Sequence, residues 1–256
     1  MILEDEAGDI VAKVLNGKGI SRDQLSEITG NSRAEIDALI DDYNLPEDIT
    51  PIATALELDA EALAQLHAYP DFALNKGAPQ QIITPFGHLG VNSWWAPDFG
   101  PGILFDAGTD AGPIIDYLGK HDATPAELWI THGHHDHVDG INELKKAFPN
   151  LITRGPASLN LDHSLAPGDS VHGLTVIDLD GHWPGALGFI NEKFVVVGDA
   201  YFAGSIGKIP TKKWAEGLAR LKVQLGEFHR DQIILPGHGP ASSVHIERHH
   251  NPFFAQ

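Results

Sequence analysis

Ten consecutive residues constrain this chain more than any others: Thr131-His132-Gly133-His134-His135-Asp136-His137-Val138-Asp139-Gly140. Glu127-Leu128-Trp129-Ile130 precedes them, an apolar run of strand length, and an amphipathic stretch from Ile141 to Phe148 follows. The motif therefore belongs on a loop at a strand end, where functional groups concentrate. Side chains alternate in extended backbone, so His132 and His134 point to one side together. Asp136 and His137 then turn toward a neighbouring point. Imidazole nitrogens and carboxylate oxygens without thiolate suit zinc, iron or manganese. The competing reading, a polar loop that is merely rich in histidine, is disfavoured by the spacing and the flanking elements.

Three further positions share this chemistry. Gly181-His182-Trp183-Pro184-Gly185 sets a histidine in a Pro/Gly turn, and Val197-Gly198-Asp199 puts a carboxylate after a β-branched run. Leu235-Pro236-Gly237-His238-Gly239 ends another apolar run with a histidine between glycines. A lone His or Asp at a strand end is more often structural, but here three join one motif. The chain has 15 histidines, more than surface titration needs, and no cysteine. A disulfide framework, a thiolate ligand and a Cys nucleophile are thereby excluded.

Charge and pattern divide the 256 residues in two. Residues 1–70 hold four basic residues against 15 acidic ones, a balance of −11 out of −18 for the chain. Their pattern is helical: Ser21-Arg22-Asp23-Gln24 and Ser32-Arg33-Ala34-Glu35 read as capping boxes, and Asp59 as a further N-cap. Gly30 stops the first of these helices and Pro46 follows the second. Residues 71–80 read as a linker with few apolar anchors. From residue 81 to 256, strand-length runs (Ile82–Ile83, Gly102–Phe105, Phe194–Val197) alternate with glycine-rich loops. A helix is expected from Lys212 to Phe228, with Trp214, Leu218, Leu221 and Leu225 on one face. The expected fold is an α/β sandwich preceded by a small all-α domain.

No apolar run approaches the roughly 18 residues of a membrane span. The first residues have no basic and apolar signal regions, so a cytoplasmic protein is expected. The acidic balance repels phosphate backbones and argues against nucleic acid as the main partner.

The pattern His132-x-His134-x-Asp136-His137, followed by His182, Asp199 and His238, resembles the metallo-β-lactamase-fold hydrolases over roughly residues 80–256. Gly198-Asp199-Ala200-Tyr201-Phe202-Ala203-Gly204-Ser205-Ile206-Gly207, and the ending from Pro236 through Glu247 to Asn251-Pro252-Phe253, are most similar to the glyoxalase II-like branch. The resemblance implies an αββα sandwich with two divalent metal ions at one edge, zinc first and iron or manganese as alternatives. It implies His132, His134 and His182 on one metal, Asp136, His137 and His238 on the other, and Asp199 bridging. Asp106, in Leu104-Phe105-Asp106-Ala107-Gly108, resembles the family's first-strand Asp, which orients a ligand histidine. Its competing reading is a turn Asp before Gly.

The reaction so implied is hydrolysis of a small thioester or ester. Asp136 and Asp199 are the carboxylates of the catalytic centre, and a metal-bridging hydroxide is the nucleophile. A lactonase on the same site and an iron-dependent persulfide dioxygenase are the enzymatic alternatives. From another class comes a metal-stabilised regulator that binds DNA through residues 1–70, which resemble a helix-turn-helix. Its second helix offers only Arg33 beside Glu35, Asp37, Asp41 and Asp42, so these residues are read instead as a lid or homo-oligomer contact. Tyr201, Lys212 and Trp183 are candidates for binding a small-molecule substrate, with Lys208 and Lys213 as further cations. Trp94 and Trp95 are expected in sheet packing. His135, His245, His249 and His250 are expected at the surface. Glyoxalase II proper draws much of its glutathione binding from a further C-terminal helical region, which is not expected beyond Asn251-Pro252 here, so the acyl and leaving groups stay open.

Overall fold

The computed structural model describes residues 2–87 and 90–255. Five short helices open the chain: α1 (Ala7–Lys18), α2 (Arg22–Thr29), α3 (Arg33–Asp41), α4 (Thr50–Leu56) and α5 (Ala60–Ala64). Ser21 and Ser32 accept the backbone N–H of Gln24 and Glu35, whose side chains return to the serine N–H groups. Both capping boxes therefore form where the residue types place them. Gly30, at φ +78°, ends α2 in the left-handed region that glycine adopts at no steric cost. Asp59 caps α5 by accepting from Ala62 N–H.

The first sheet holds β1 (Gln80–Thr84), β2 (Val91–Ala96), β3 (Ile103–Phe105), β4 (Glu127–Trp129), β5 (Ile152–Pro156) and β6 (His163–Leu165), side by side in chain order. Later come β7 (Ser170–Val171), β8 (Leu174–Asp178), β9 (Leu187–Ile190), β10 (Phe194–Gly198), a hairpin of β11 (Tyr201–Phe202) and β12 (Ser205–Ile206), β13 (Ile233–Pro236) and β14 (Ser242–Ser243). Apart from the hairpin these form a second sheet in the order β14-β13-β10-β9-β8-β7. The remaining helices are α6 (Gly112–Lys120), α7 (His135–Val138), α8 (Ile141–Ala147), α9 (Trp214–Glu227) and α10 (Val244–His250).

Strand alternation stacks these pieces into four layers. On β2 and β3, Trp94 and Phe105 face the second sheet, while Trp95 and Leu104 face Ile114, Leu118 and Leu144 of α6 and α8. On β10, Phe194 and Val196 turn inward between the sheets, and Val195 and Val197 turn outward to Trp214, Leu221 and Leu225 of α9. Strands buried on both faces read as continuous apolar runs, which is why Phe194–Val197 carries no polar alternation. The outer helical layer is shared: Ile10, Val14, Ile52 and Leu63 of the N-terminal helices join the same apolar cluster as α9 and α10. Among the described residues no helix is long and apolar enough to cross a membrane.

The stretch read as a linker is better anchored than its composition suggests. Phe72 and Leu74 pack half-buried on the core between the sheets. Tyr69, just before it, is buried and donates its hydroxyl hydrogen to Glu247 of α10. Isolated aromatic residues among prolines give no periodic signal, so sequence pattern alone did not count them as anchors.

Candidate metal centre

Strand ends on both sheets deliver the polar residues to one place. β4 leads into Thr131 and His132, and the backbone then enters α7 with His134 as its extended N-cap. Starting that helix turns Asp136 and His137 back toward the core, where both are buried. The loop after β8 carries His182, the end of β10 carries Asp199, and β13, parallel to β10, delivers His238. His132, His134, His182 and Asp199 bring donor atoms within 4.8 Å of one another, and so do Asp136, His137 and His238. Asp199 lies between the two groups: Oδ2 is 3.4 Å from His182 Nε2 and 3.5 Å from His238 Nε2.

The imidazoles are fixed from behind. His182 Nδ1 lies 2.8 Å from the Lys208 carbonyl and His238 Nδ1 3.0 Å from the Gly90 carbonyl, so both nitrogens carry their proton outward. His137 Nδ1 donates to the Asp106 carboxylate at 2.9 Å. The Thr131 hydroxyl donates to Asp106 at 2.9 Å, leaving its oxygen to accept from His132 Nδ1 at 2.9 Å. With the protons turned outward, the Nε2 lone pairs of all four rings point into the centre. Asp106 has φ +59°, a left-handed conformation in which Asp is among the few tolerated side chains.

This inward set fits divalent cations. His134 Nδ1 lies 3.0 Å from both His132 Nε2 and His182 Nε2, and two of those three nitrogens have only lone pairs to present. Protonation is a poor remedy, because burial together with neighbouring histidines holds His132, His134 and His182 below the ordinary histidine range. Among the described residues, His137 Nε2 and Asp199 Oδ1 are buried without a hydrogen-bond partner. Unpartnered buried lone pairs of this kind call for a ligand. Burial disfavours charge on Asp199, but the surrounding histidines, His137 foremost, outweigh it and keep the carboxylate ionised. Burial likewise opposes charge on His137, but the Asp199 and Asp106 carboxylates outweigh it and draw positive charge to Nε2, which a cation on the lone pair would supply in place of a proton.

Glycines keep the centre open. A Cβ on Gly237 would lie 2.2 Å from Asp199 Oδ1 and 2.6 Å from His137 Cε1, and one on Gly207 would lie 1.8 Å from the Asp199 carbonyl.

Around the rim the sequence-based candidates part company. The Trp183 ring stands 4.5 Å from the His134 ring, at the edge of the centre. Tyr201 is fully buried, its hydroxyl donates to the Leu221 carbonyl, and it packs near Phe228 and Phe254. The β11–β12 hairpin folds it inward although it follows Asp199 closely in sequence. Lys212 sits exposed in the turn before α9, and Lys213 is paired with Asp180 and Glu216. Trp94 and Trp95 are buried in the first sheet, and His135, His245, His249 and His250 are exposed. Sequence reading missed Phe86 and Phe202, whose rings lie 5.6 and 5.8 Å from that of His238. An aromatic in the turn Thr84-Pro85-Phe86-Gly87, flanked by Pro and Gly, was the available signal.

Comparison with known proteins bears on the same part of the chain. Residues 87–160, which include the histidine motif and Asp106, match the model of the metallo-beta-lactamase superfamily. Over that stretch the chain is similar to the metallo-β-lactamase superfamily. It is 35% identical over 114 residues to the hydroxyacylglutathione hydrolase of Pectobacterium carotovorum, covering 42% of this chain and 45% of the relative. The match thus spans about half the length of that relative. Among solved structures, TTHA1623 in a di-iron-bound form aligns with a TM-score of 0.56 at 24% identity, over 67% of this chain and 98% of that one. ETHE1 from Myxococcus xanthus aligns with a TM-score of 0.58 at 18% identity, over 68% of this chain and 83% of that one. At these identities the two structures speak for the fold alone.

Proposed function

We propose that this chain is a dinuclear metal-dependent hydrolase acting on a small thioester or ester. The observation that carries this reading is Asp199, whose Oδ2 stands 3.4 and 3.5 Å from a histidine nitrogen in each of two donor groups. A carboxylate so placed can serve two cations at once. His132, His134 and His182 would hold one, Asp136, His137 and His238 the other, with Asp199 shared. Divalent ions there would supply a nucleophilic water at neutral pH and a positive field for the oxyanion that develops at the attacked carbonyl. Zinc is the first metal for such nitrogen-and-carboxylate donors, with iron and manganese next. The relative from Pectobacterium, a hydroxyacylglutathione hydrolase, supports the reaction class, and the di-iron form of TTHA1623 supports a two-metal centre.

The chain's own residues do three things in this scheme. The Lys208 and Gly90 carbonyls, Asp106 and Thr131 hold the imidazoles in one tautomer, so no reorganisation is needed when a substrate arrives. Asp136 and Asp199 offset part of the cationic charge. Trp183, Phe86 and Phe202 limit water around the carbonyl, which strengthens every charge interaction there.

We read residues 81–256 as the catalytic unit, 1–70 as a helical unit beside it and 71–80 as the connection. Arg22 is engaged by Asp37 and Asp41, and Arg33 by Asp23 and Asp37. That engagement supports a small molecule rather than DNA as the partner.

The test is steady-state hydrolysis of S-lactoylglutathione by zinc-loaded protein, with metal content determined on the same sample. Two metals per chain with turnover that Asp199→Ala abolishes, and that His249→Ala at the exposed end of α10 leaves intact, is the expected result. Two metals without turnover moves the substrate search to lactones. A single tightly bound iron overturns the hydrolytic mechanism.

A further inference from the structure

The residues ahead of α1 pass beside the metal centre. Glu4 packs against Gly239, the neighbour of His238: a Cβ on Gly239 would lie 3.3 Å from Glu4 N and 3.4 Å from Glu4 Cβ. The Glu4 side chain is within electrostatic reach of both His238 and Asp199. Its Oε2 is buried and has no hydrogen-bond partner among the described residues. Among the described residues the only other carboxylate oxygen so placed is Asp199 Oδ1 in the centre itself.

Glu4 is held there by its neighbours. The Asp5 carboxylate binds Lys13 Nζ of α1, and the same Nζ donates to the Ile206 carbonyl at 2.9 Å. Lys13 Nζ also lies 5.0 Å from the centre of the Phe202 ring, which in turn flanks His238. The segment is thus fastened to the β11–β12 hairpin, immediately downstream of Asp199. A buried carboxylate oxygen without a donor costs stability unless something supplies one. Lys13 is also within electrostatic reach of Glu4, but its Nζ donates to Asp5 and to the Ile206 carbonyl, and Glu4 Oε2 is left without a donor.

We propose that Glu4 is a specificity-determining residue at the mouth of the metal centre, selecting substrates that carry a cationic or N–H donor group beside the scissile carbonyl and rejecting those with a carboxylate there. This inference rests on the hydrolase reading for its kinetic test but not for its binding test. It also gives the N-terminal segment a role in the site, which a separately folded appendage would not have.

Three thioesters with one acyl group and different leaving groups test it: acetylthiocholine, S-acetylthioglycolate and a neutral S-ethyl thioacetate. For the metal-loaded protein kcat/KM should fall in the order cationic, neutral, anionic, spanning about tenfold or more for a partly buried charge. Glu4→Gln should bring the three within about threefold, and Glu4→Lys should reverse the order. Calorimetric binding of uncleavable cationic and anionic thioether analogues gives a readout that needs no turnover. A binding preference that Glu4→Gln removes, in a protein that cleaves none of the thioesters, would sink the hydrolase reading and uphold the role of Glu4. Equal preference in wild type and Glu4→Gln overturns the inference. So does a loss of bound metal in Glu4→Gln, which would make Glu4 a metal ligand.

Discussion

At the scale of single residues, Gly237 sets the limit on what the centre tolerates. A methyl group there would lie 2.2 Å from Asp199 Oδ1 and 2.6 Å from His137 Cε1, and both of those side chains are anchored on strand and helix ends. Gly237 is not in a left-handed conformation, so the consequence of Gly237→Ala is local crowding rather than backbone strain. The expected result is a displaced Asp199, fewer metal ions per chain by elemental analysis, and a loss of activity of about 100-fold, the cost of misplacing reacting groups by an ångström. Full metal content in that variant would show that Asp199 is free to move. The members of the two donor groups were legible in sequence, because strand-end loops concentrate polar groups and His132 to His137 lie within six positions. The partners behind them were less so. The Lys208 and Gly90 carbonyls that fix His182 and His238 are backbone atoms, which carry no sequence signal at all. Tyr201 was misjudged for the same reason in reverse: closeness to Asp199 along the chain says nothing about which way a two-residue strand turns its side chain.

At the scale of elements, the joint between α1 and α9 decides how the helical segment is seated. Trp214 opens α9, and Gly17 of α1 lies against its ring so closely that a Cβ on Gly17 would come within 1.9 Å of ring carbon Cε3. Thr211, in the turn before α9, donates its hydroxyl hydrogen to the Asn16 carbonyl at 2.7 Å. Trp214 is 7% exposed and shares one apolar cluster with Ile10, Val14 and Leu25 from the opening helices. Trp214→Ala should therefore cost about 3–5 kcal/mol, the range for emptying a buried aromatic site. Chemical denaturation monitored by far-ultraviolet dichroism measures it, and a change below 1 kcal/mol would mean α1 does not depend on this contact. The helical period of α9 was visible as Trp214, Leu218, Leu221 and Leu225, although Leu218 is only half-buried. The partner of that face was not, because it lies some two hundred positions upstream. β2 was legible only in Trp94 and Trp95, for a different reason: Val91-Asn92-Ser93-Trp94-Trp95-Ala96 is buried at every position, so no alternation of buried and exposed residues marks its extent.

At the scale of the whole molecule, Glu247 joins segments that are far apart in sequence. Tyr69 donates its hydroxyl hydrogen to one carboxylate oxygen, while Gly204 N–H and Asn251 Nδ2 donate to the other at 3.2 and 2.7 Å. Asn251 also donates to the Ser205 carbonyl at 2.9 Å, so the cluster clamps the β11–β12 hairpin from below. The end of the helical segment, the hairpin after Asp199 and α10 thus meet on one fully buried carboxyl group. Burial disfavours its charge, and the donors around it lower its pKa only in part, leaving it above the usual value near 4.5. A group whose folded pKa is raised stabilises the fold fully below its unfolded value, and that contribution fades as pH climbs through the folded value. Ionisation of Glu247 should therefore erode stability as pH rises from about 4.5 toward neutrality, a slope that Glu247→Gln lacks. The amide keeps one oxygen for Gly204 and Asn251, and its nitrogen can donate to the Tyr69 and Ser242 hydroxyls, which lie 2.9 Å apart and can bond to each other. Melting temperatures of the two proteins should consequently diverge with rising pH, with the variant gaining on the wild type by an amount that grows up to the raised pKa and then levels. Parallel curves would mean that Glu247 binds its proton equally in the folded and unfolded chain, and that its burial carries no pH-dependent cost.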